Sequence, residues 1–162
     1  MKKQHVRTVL PWIAVVVWMG VIFLLSQQAG SESGDLSGGM TDAVIQVIQT
    51  GFPFVPIDEA FLHHLIRKGA HFTAYLLLGV LVINALGLPY GKKVVLALIL
   101  CILYAISDEV HQLFIPGRSG ELRDVIIDST GAATGIGVYI LCVFIFRRFF
   151  EKKRNKERMS NG

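Results

Sequence analysis

The chain has 162 residues, a length that suits one domain, and is 52% hydrophobic but only 17% charged, whereas a soluble domain carries about 25% charged residues. The charges cluster at the two ends and in two internal loops, which excludes an ordinary soluble domain and points to lipid as the solvent for much of the chain. The net charge of +4 is accounted for by the tail, where Arg147, Arg148, Lys152, Lys153, Arg154, Lys156 and Arg158 outweigh Glu151 and Glu157; placed directly behind an apolar run, it suits anionic lipid better than nucleic acid, and no nucleic-acid partner is expected.

The first apolar run covers residues 9–25, behind Lys2, Lys3 and Arg7. It is longer than the roughly 7–15 residues of a signal-peptide core, and Ser26-Gln27-Gln28-Ala29 makes a poor cleavage site, so it is expected to remain as a span. The segment 27–66 is the one long loop. Its glycine- and serine-rich part, 30–39, is expected to be a flexible connection. Residues 40–52 set Val44, Ile45, Val47, Ile48 and Phe52 against Asp42, Gln46 and Gln49, as in a short amphipathic helix lying at the interface. The prolines of 52–56 break it, and Asp58 can cap the next helix.

The second span is expected over 70–88, stopped by Leu88-Pro89-Tyr90-Gly91. The third begins near Val94, and its uninterrupted apolar part ends at Ile106. That is short of the roughly 20 residues needed to cross, so the helix must carry Ser107, Asp108, Glu109, His111 and Gln112 with it. The fourth span is expected over 125–146. Cys101 and Cys142 both lie in apolar stretches and read as packing residues. The expectation is therefore an all-α integral membrane bundle of four transmembrane helices, residues 1–150, with a basic tail over 151–162.

Lysine and arginine in short loops mark the cytoplasmic side. The N-terminus, the Lys92-Lys93 turn and the tail are basic, whereas the first long loop has no basic residue before Arg67 and Lys68. Both termini are thus expected in the cytoplasm, in a multi-pass protein of the cytoplasmic membrane.

This orientation gathers three polar clusters at the outer ends of the spans. The first is Arg67-Lys68-Gly69-Ala70-His71, with Tyr75 a turn later; Lys68, His71 and Tyr75 share one helix face. In the second, Asp108, His111 and Gln112 share a face, with Glu109 turned aside by about 100°. The third runs from Pro116 to Asp128 and holds Arg118, Glu121, Arg123, Asp124 and Asp128, above Gly131 and Gly135, a small-xxx-small pair that admits a close helix neighbour. Ionisable groups at membrane depth are costly and face a bundle interior or a wet cavity, so an ion-pair network is expected, with Arg118 or Arg123 against Asp108, Glu109 or Asp124.

The runs RKGAHFTAY and YAISDEVHQLFIPGRSGELRDVIIDSTGA, with the earlier VIFLLSQQ, resemble the VanZ-like membrane proteins over most of the chain. Lys68, His71, Tyr75, Asp108, Glu109, Gln112, Phe114, Arg118, Asp124 and Gly131 match the family pattern, which departs at Asp128-Ser129-Thr130, where many relatives carry asparagine. The resemblance implies a bacterial cell-envelope protein, in a family whose founding member gives low-level resistance to the glycopeptide antibiotic teicoplanin.

Three functional readings stay open. One is a binding site for an anionic envelope component, a lipid phosphate or a lipid-linked cell-wall precursor, formed by Arg67, Lys68, His71, Tyr75, Asp108, Glu109, Gln112, Arg118, Arg123, Asp124 and Asp128. Arginine grips phosphate bidentately, and Gly117 and Gly120 can shape a turn whose N–H groups point at an anion. The second is an enzyme acting on a lipid-linked substrate, with His71, Asp108, Glu109 and His111 as the acid–base candidates. The third is a purely structural ion-pair network. The same carboxylate and histidine set could also hold a divalent metal, but the spacing matches no zinc signature, so no metal and no cofactor are expected. His63 and His64 point about 100° apart and read as interfacial. The expected partners are membrane lipids, with further copies of the chain as a homo-oligomer.

Overall fold

The computed structural model describes residues 2–27, 30–51, 58–87, 89, 91–118 and 120–160, without the side chains of 2–8, 30–37, 152, 153 and 155–160. The proline break at 52–56 and Ser119 lie outside the described residues, as do the side chains of Lys2, Lys3, Arg7 and most of the basic tail. The described residues form five helices and no strand: α1 Lys2–Ser26, α2 Gly30–Gly51, α3 Glu59–Ala85, α4 Gly91–Gln112 and α5 Leu122–Ser160. Four of them contain segments long and apolar enough to cross a membrane, namely Val9–Ser26, Glu59–Ala85, Gly91–Gln112 and Leu122–Glu151.

No more than 28% of any of these segments is buried within the protein. Leu10, Val16, Leu24, Leu103, Ile126, Leu141 and Phe146 all face outward. In water such a surface would aggregate; against hydrocarbon it is the natural exterior. The core is correspondingly thin. Val15 and Ile22 of α1 meet Tyr75, Leu78, Val82 and Ile83 of α3, Ala97, Cys101 and Ala105 of α4, and Ala132 and Ile136 of α5.

Close packing replaces bulk in this core. α3 packs most extensively on α5. A Cβ added to Gly131 would run into the carbonyl oxygen of Phe72, one at Gly135 into that of Leu76, and one at Gly79 into that of Ala132. The small-xxx-small pair on α5 therefore does admit a close neighbour, and that neighbour is α3. The buried face of α4 is equally small, with Ala97, Cys101 and Ala105 four apart.

Polar groups at membrane depth find partners across helices, since lipid offers none. Trp18 Nε1 donates to the Ala74 carbonyl at 2.9 Å, tying α1 to α3. Tyr104 Oη donates to the Met19 carbonyl at 2.6 Å, tying α4 to α1. Tyr139 Oη donates to Asn84 Oδ1 at 3.1 Å, at the end of α3 away from the charged cluster.

One expectation holds and one is modified. Asp58 caps α3 as foreseen, its Oδ1 accepting from the Phe61 N–H at 3.0 Å. The segment 30–39, however, is helical and continuous with the amphipathic segment, so α2 is one helix of 22 residues. Glycine is costly in a helix, by about 1 kcal/mol relative to alanine, but does not forbid one. α2 rests on α3, and packing outweighs propensity here. Its inward face carries Thr41 and Ile45, while Met40 and Val47 point away. α5 runs on through the basic tail to Ser160.

Candidate functional site

The register of each helix decides what the bundle must bury. On α5 the stripe that packs against its neighbours is Ile136, Ala132, Asp128 and Asp124, each four residues from the next. On α3 the stripe Val82, Leu78 and Tyr75 continues through His71 to Lys68. On α4, Ala97, Cys101 and Ala105 continue to Asp108, Glu109 and Gln112. The same faces that are apolar in mid-bundle become ionisable toward one end, so the charged groups are drawn inside by helical periodicity. Asp108, Glu109, Gln112, Asp124 and Asp128 are all buried, Asp128 completely at 0% exposure.

Lys68 forms the main ion pair. Its Nζ donates to Asp124 Oδ1 and lies 3.5 Å from Glu121 Oε2. The expected pairing of Arg118 or Arg123 with Asp108, Glu109 or Asp124 is therefore corrected: Lys68 holds that place. Arg123, one residue before Asp124, points about 100° away from the buried stripe and is exposed. Deeper in, His71 Nδ1 stands 3.5 Å from Asp128 Oδ1, and Tyr75 Oη donates to Asp108 Oδ2 across 3.4 Å, a long bond.

Glu109, offset by about 100° from Asp108, is buried as well. It lies four residues from Ala105 and so falls on the inward face, where its Oε2 accepts the Glu121 backbone N–H at 2.8 Å. The glycine-bearing turn after α4, with Gly117 at φ 75°, does present an N–H to an anion, but that anion is the protein's own Glu109. His111 turns toward α1 and stacks on Phe23 with ring centroids 4.5 Å apart. This separates it from the group in which His71, Glu109 and Asp128 each offer a ligand atom, all within 4.8 Å of one another.

Arg118 closes the cluster from the loop. Its Nη2 reaches the Leu25 carbonyl at the end of α1 only at 3.5 Å, and its buried Nε has no hydrogen-bond partner among the described residues. Burial, and then the neighbouring Arg67, lower its proton affinity from the ordinary guanidinium value, against the opposing pull of Asp108, Glu109 and Asp124. An arginine remains charged through such a shift, so a cation with spare donors stands at the mouth of the bundle. Other buried atoms also lack a hydrogen-bond partner among the described residues: Asp108 Oδ1, Glu109 Oε1, Gln112 Nε2, His111 Nε2 and both carboxylate oxygens of Asp128. A buried polar atom left unpaired costs about 1–3 kcal/mol, so this end of the bundle is poised for something more than packing.

Sequence reasoning had missed Gly79, Trp18 and Tyr104 as tying residues. Gly79 carried a legible signal, since it lies four residues after Tyr75 on the buried stripe of α3.

No curated protein and no solved structure matches the chain. The family model described as VanZ/LLP1 does, over residues 11–146, from within α1 to the last turns of the fourth span. That range takes in every residue of the cluster just described, and the chain belongs to the VanZ/LLP1 family.

Proposed function

We propose that the protein binds the phosphate headgroup of an envelope lipid or lipid-linked precursor at the charged end of its bundle. The observation that carries this reading is Arg118, a half-buried guanidinium beside Arg67 with an unpartnered Nε and no ion pair to the neighbouring acids among the described residues. Two adjacent cations at the mouth of the bundle favour an anion, and the planar fork of arginine suits phosphate. Lys68, already engaged by Asp124 and Glu121, positions the floor of the site rather than the ligand. A headgroup lies at this depth, and an effect on teicoplanin susceptibility would follow from holding such an envelope component.

The test is lipid retention. Native mass spectrometry of the full chain should find a phosphate-bearing lipid on wild type and little on Arg118→Ala. Arg118→Lys should be impaired too, because it keeps the charge but loses the fork. Both variants should melt in detergent close to wild type. If both fold poorly and the folded remainder keeps its lipid, Arg118 is structural and the binding reading is wrong.

This reading places the charged end outside the cytoplasmic membrane and both termini in the cytoplasm, supported by the basic N-terminus, Lys92, Lys93 and the tail. In a background with Cys101→Ala and Cys142→Ala, cysteines introduced at Ser37 and Ser119 should react with an impermeant reagent added to intact cells. One introduced at Gly91 should not. Labelling of Gly91 alone would reverse the orientation.

A further inference from the structure

We propose that His71, Glu109 and Asp128 form a binding site for one divalent transition-metal ion of the zinc or manganese class. This goes beyond headgroup binding and does not depend on it. The three side chains come from three different helices, α3, α4 and α5, and each offers one ligand atom, these atoms lying within 4.8 Å of one another, so a small inward shift would let them share one ion. His71 Nδ1 and Asp128 Oδ1 are 3.5 Å apart. With bonds of about 2.0–2.2 Å, two ligands of a tetrahedral ion are separated by about 3.4 Å, so this pair already has the spacing of a metal edge.

The unpaired atoms give independent support. Asp128 is fully buried; its Oδ1 faces only His71 Nδ1, at 3.5 Å, and its Oδ2 accepts no hydrogen bond among the described residues. Glu109 Oε1 is in the same condition, while Glu109 Oε2 is fixed by the Glu121 N–H at 2.8 Å. That bond orients the carboxylate and leaves its other oxygen for a ligand, the arrangement by which outer partners orient metal-binding side chains. A protonated His71 facing Asp128 would satisfy at most part of this set and would leave Glu109 Oε1 unpaired.

Charge and donor type narrow the ion. Two carboxylates with a neutral imidazole balance a dication. Asp124 is already committed to Lys68 and so does not compete. One nitrogen and carboxylate oxygens, with no thiolate, suit zinc or manganese. Calcium wants six to eight oxygens, and magnesium a nearly all-oxygen shell. The His71 side chain, 16% exposed, leaves an approach for the ion.

The full-length protein, purified in detergent, stripped with EDTA and dialysed separately against Zn²⁺ or Mn²⁺, should retain about one equivalent of at least one ion by elemental mass spectrometry. The melting temperature should rise on reloading. Asp128→Asn and Glu109→Gln should each weaken binding by roughly tenfold or more in isothermal titration, while His64→Ala, at an exposed position on α3, should leave it unchanged. Folding of each variant is read as its melting temperature in EDTA, and either folded variant suffices. Wild type that retains neither ion, or a folded Asp128→Asn or Glu109→Gln that binds as wild type does, would overturn the proposal.

Discussion

Lys68→Ala should destabilise the protein by about 3–5 kcal/mol, the cost of leaving one charge of a buried pair without its partner. Asp124 is the charge left behind: its side chain is only 6% exposed, and the Lys68 ammonium is its ion-pair partner among the described residues. Chemical denaturation in detergent micelles, followed by tryptophan emission, would measure the loss. A paired replacement by apolar residues of similar size, Lys68→Met with Asp124→Leu, should recover most of it, because neither charge then needs compensation. A loss below about 1 kcal/mol for Lys68→Ala would mean that the pair behaves as an exposed one, and the buried register derived for α3 and α5 would be wrong.

Gly135→Val should be as damaging, by a different mechanism. The obstacle is the backbone carbonyl of Leu76, which cannot rotate away as a side chain would. Overpacking ordinarily costs about 1–3 kcal/mol, and a rigid obstacle puts this substitution at or above the top of that range. α3 and α5 must separate to admit the side chain, and the Lys68–Asp124 and His71–Asp128 pairs lie between those two helices. Loss of lipid retention should therefore accompany loss of stability. Gly137→Ala, two residues on, is the control. Nothing lies within 4 Å of a Cβ built there, so it should melt within a degree or two of wild type.

Much of this arrangement was legible in the sequence because helical periodicity and the cost of charge in lipid act locally. The third span could not reach across the membrane without Asp108 and Glu109, and α4 does run to Gln112. Asp58 was a readable cap, and Gly131 with Gly135 a readable close-packing face. What was not legible depends on how helices rotate against one another. The choice of Lys68 over Arg118 as the partner of Asp124 follows from the meeting of two stripes on separate helices, and residue type alone favoured arginine. Glu109, about 100° round the helix from Asp108, is in line with Ala105, so the inward face of α4 is wide enough to hold both acids. The convergence of His71, Glu109 and Asp128 has no signature in spacing, since each helix supplies a single member. The helical form of 30–39 was hidden by its glycines, whose propensity the packing of α2 on α3 overrides.

The most direct test of headgroup binding is the proximity of phosphorus to the Arg118 guanidinium. With ¹⁵N-arginine protein in phospholipid bilayers, solid-state NMR can recouple guanidinium nitrogen to lipid phosphorus, and charge-assisted hydrogen bonds of about 2.7–2.9 Å bring the two nuclei close enough for strong dephasing. Tail arginines will contribute a background, so the decisive quantity is the difference between wild type and Arg118→Lys. We expect a dephased guanidinium signal that disappears in the variant while the remainder is unchanged. Identical dephasing in the two proteins would contradict headgroup binding at Arg118.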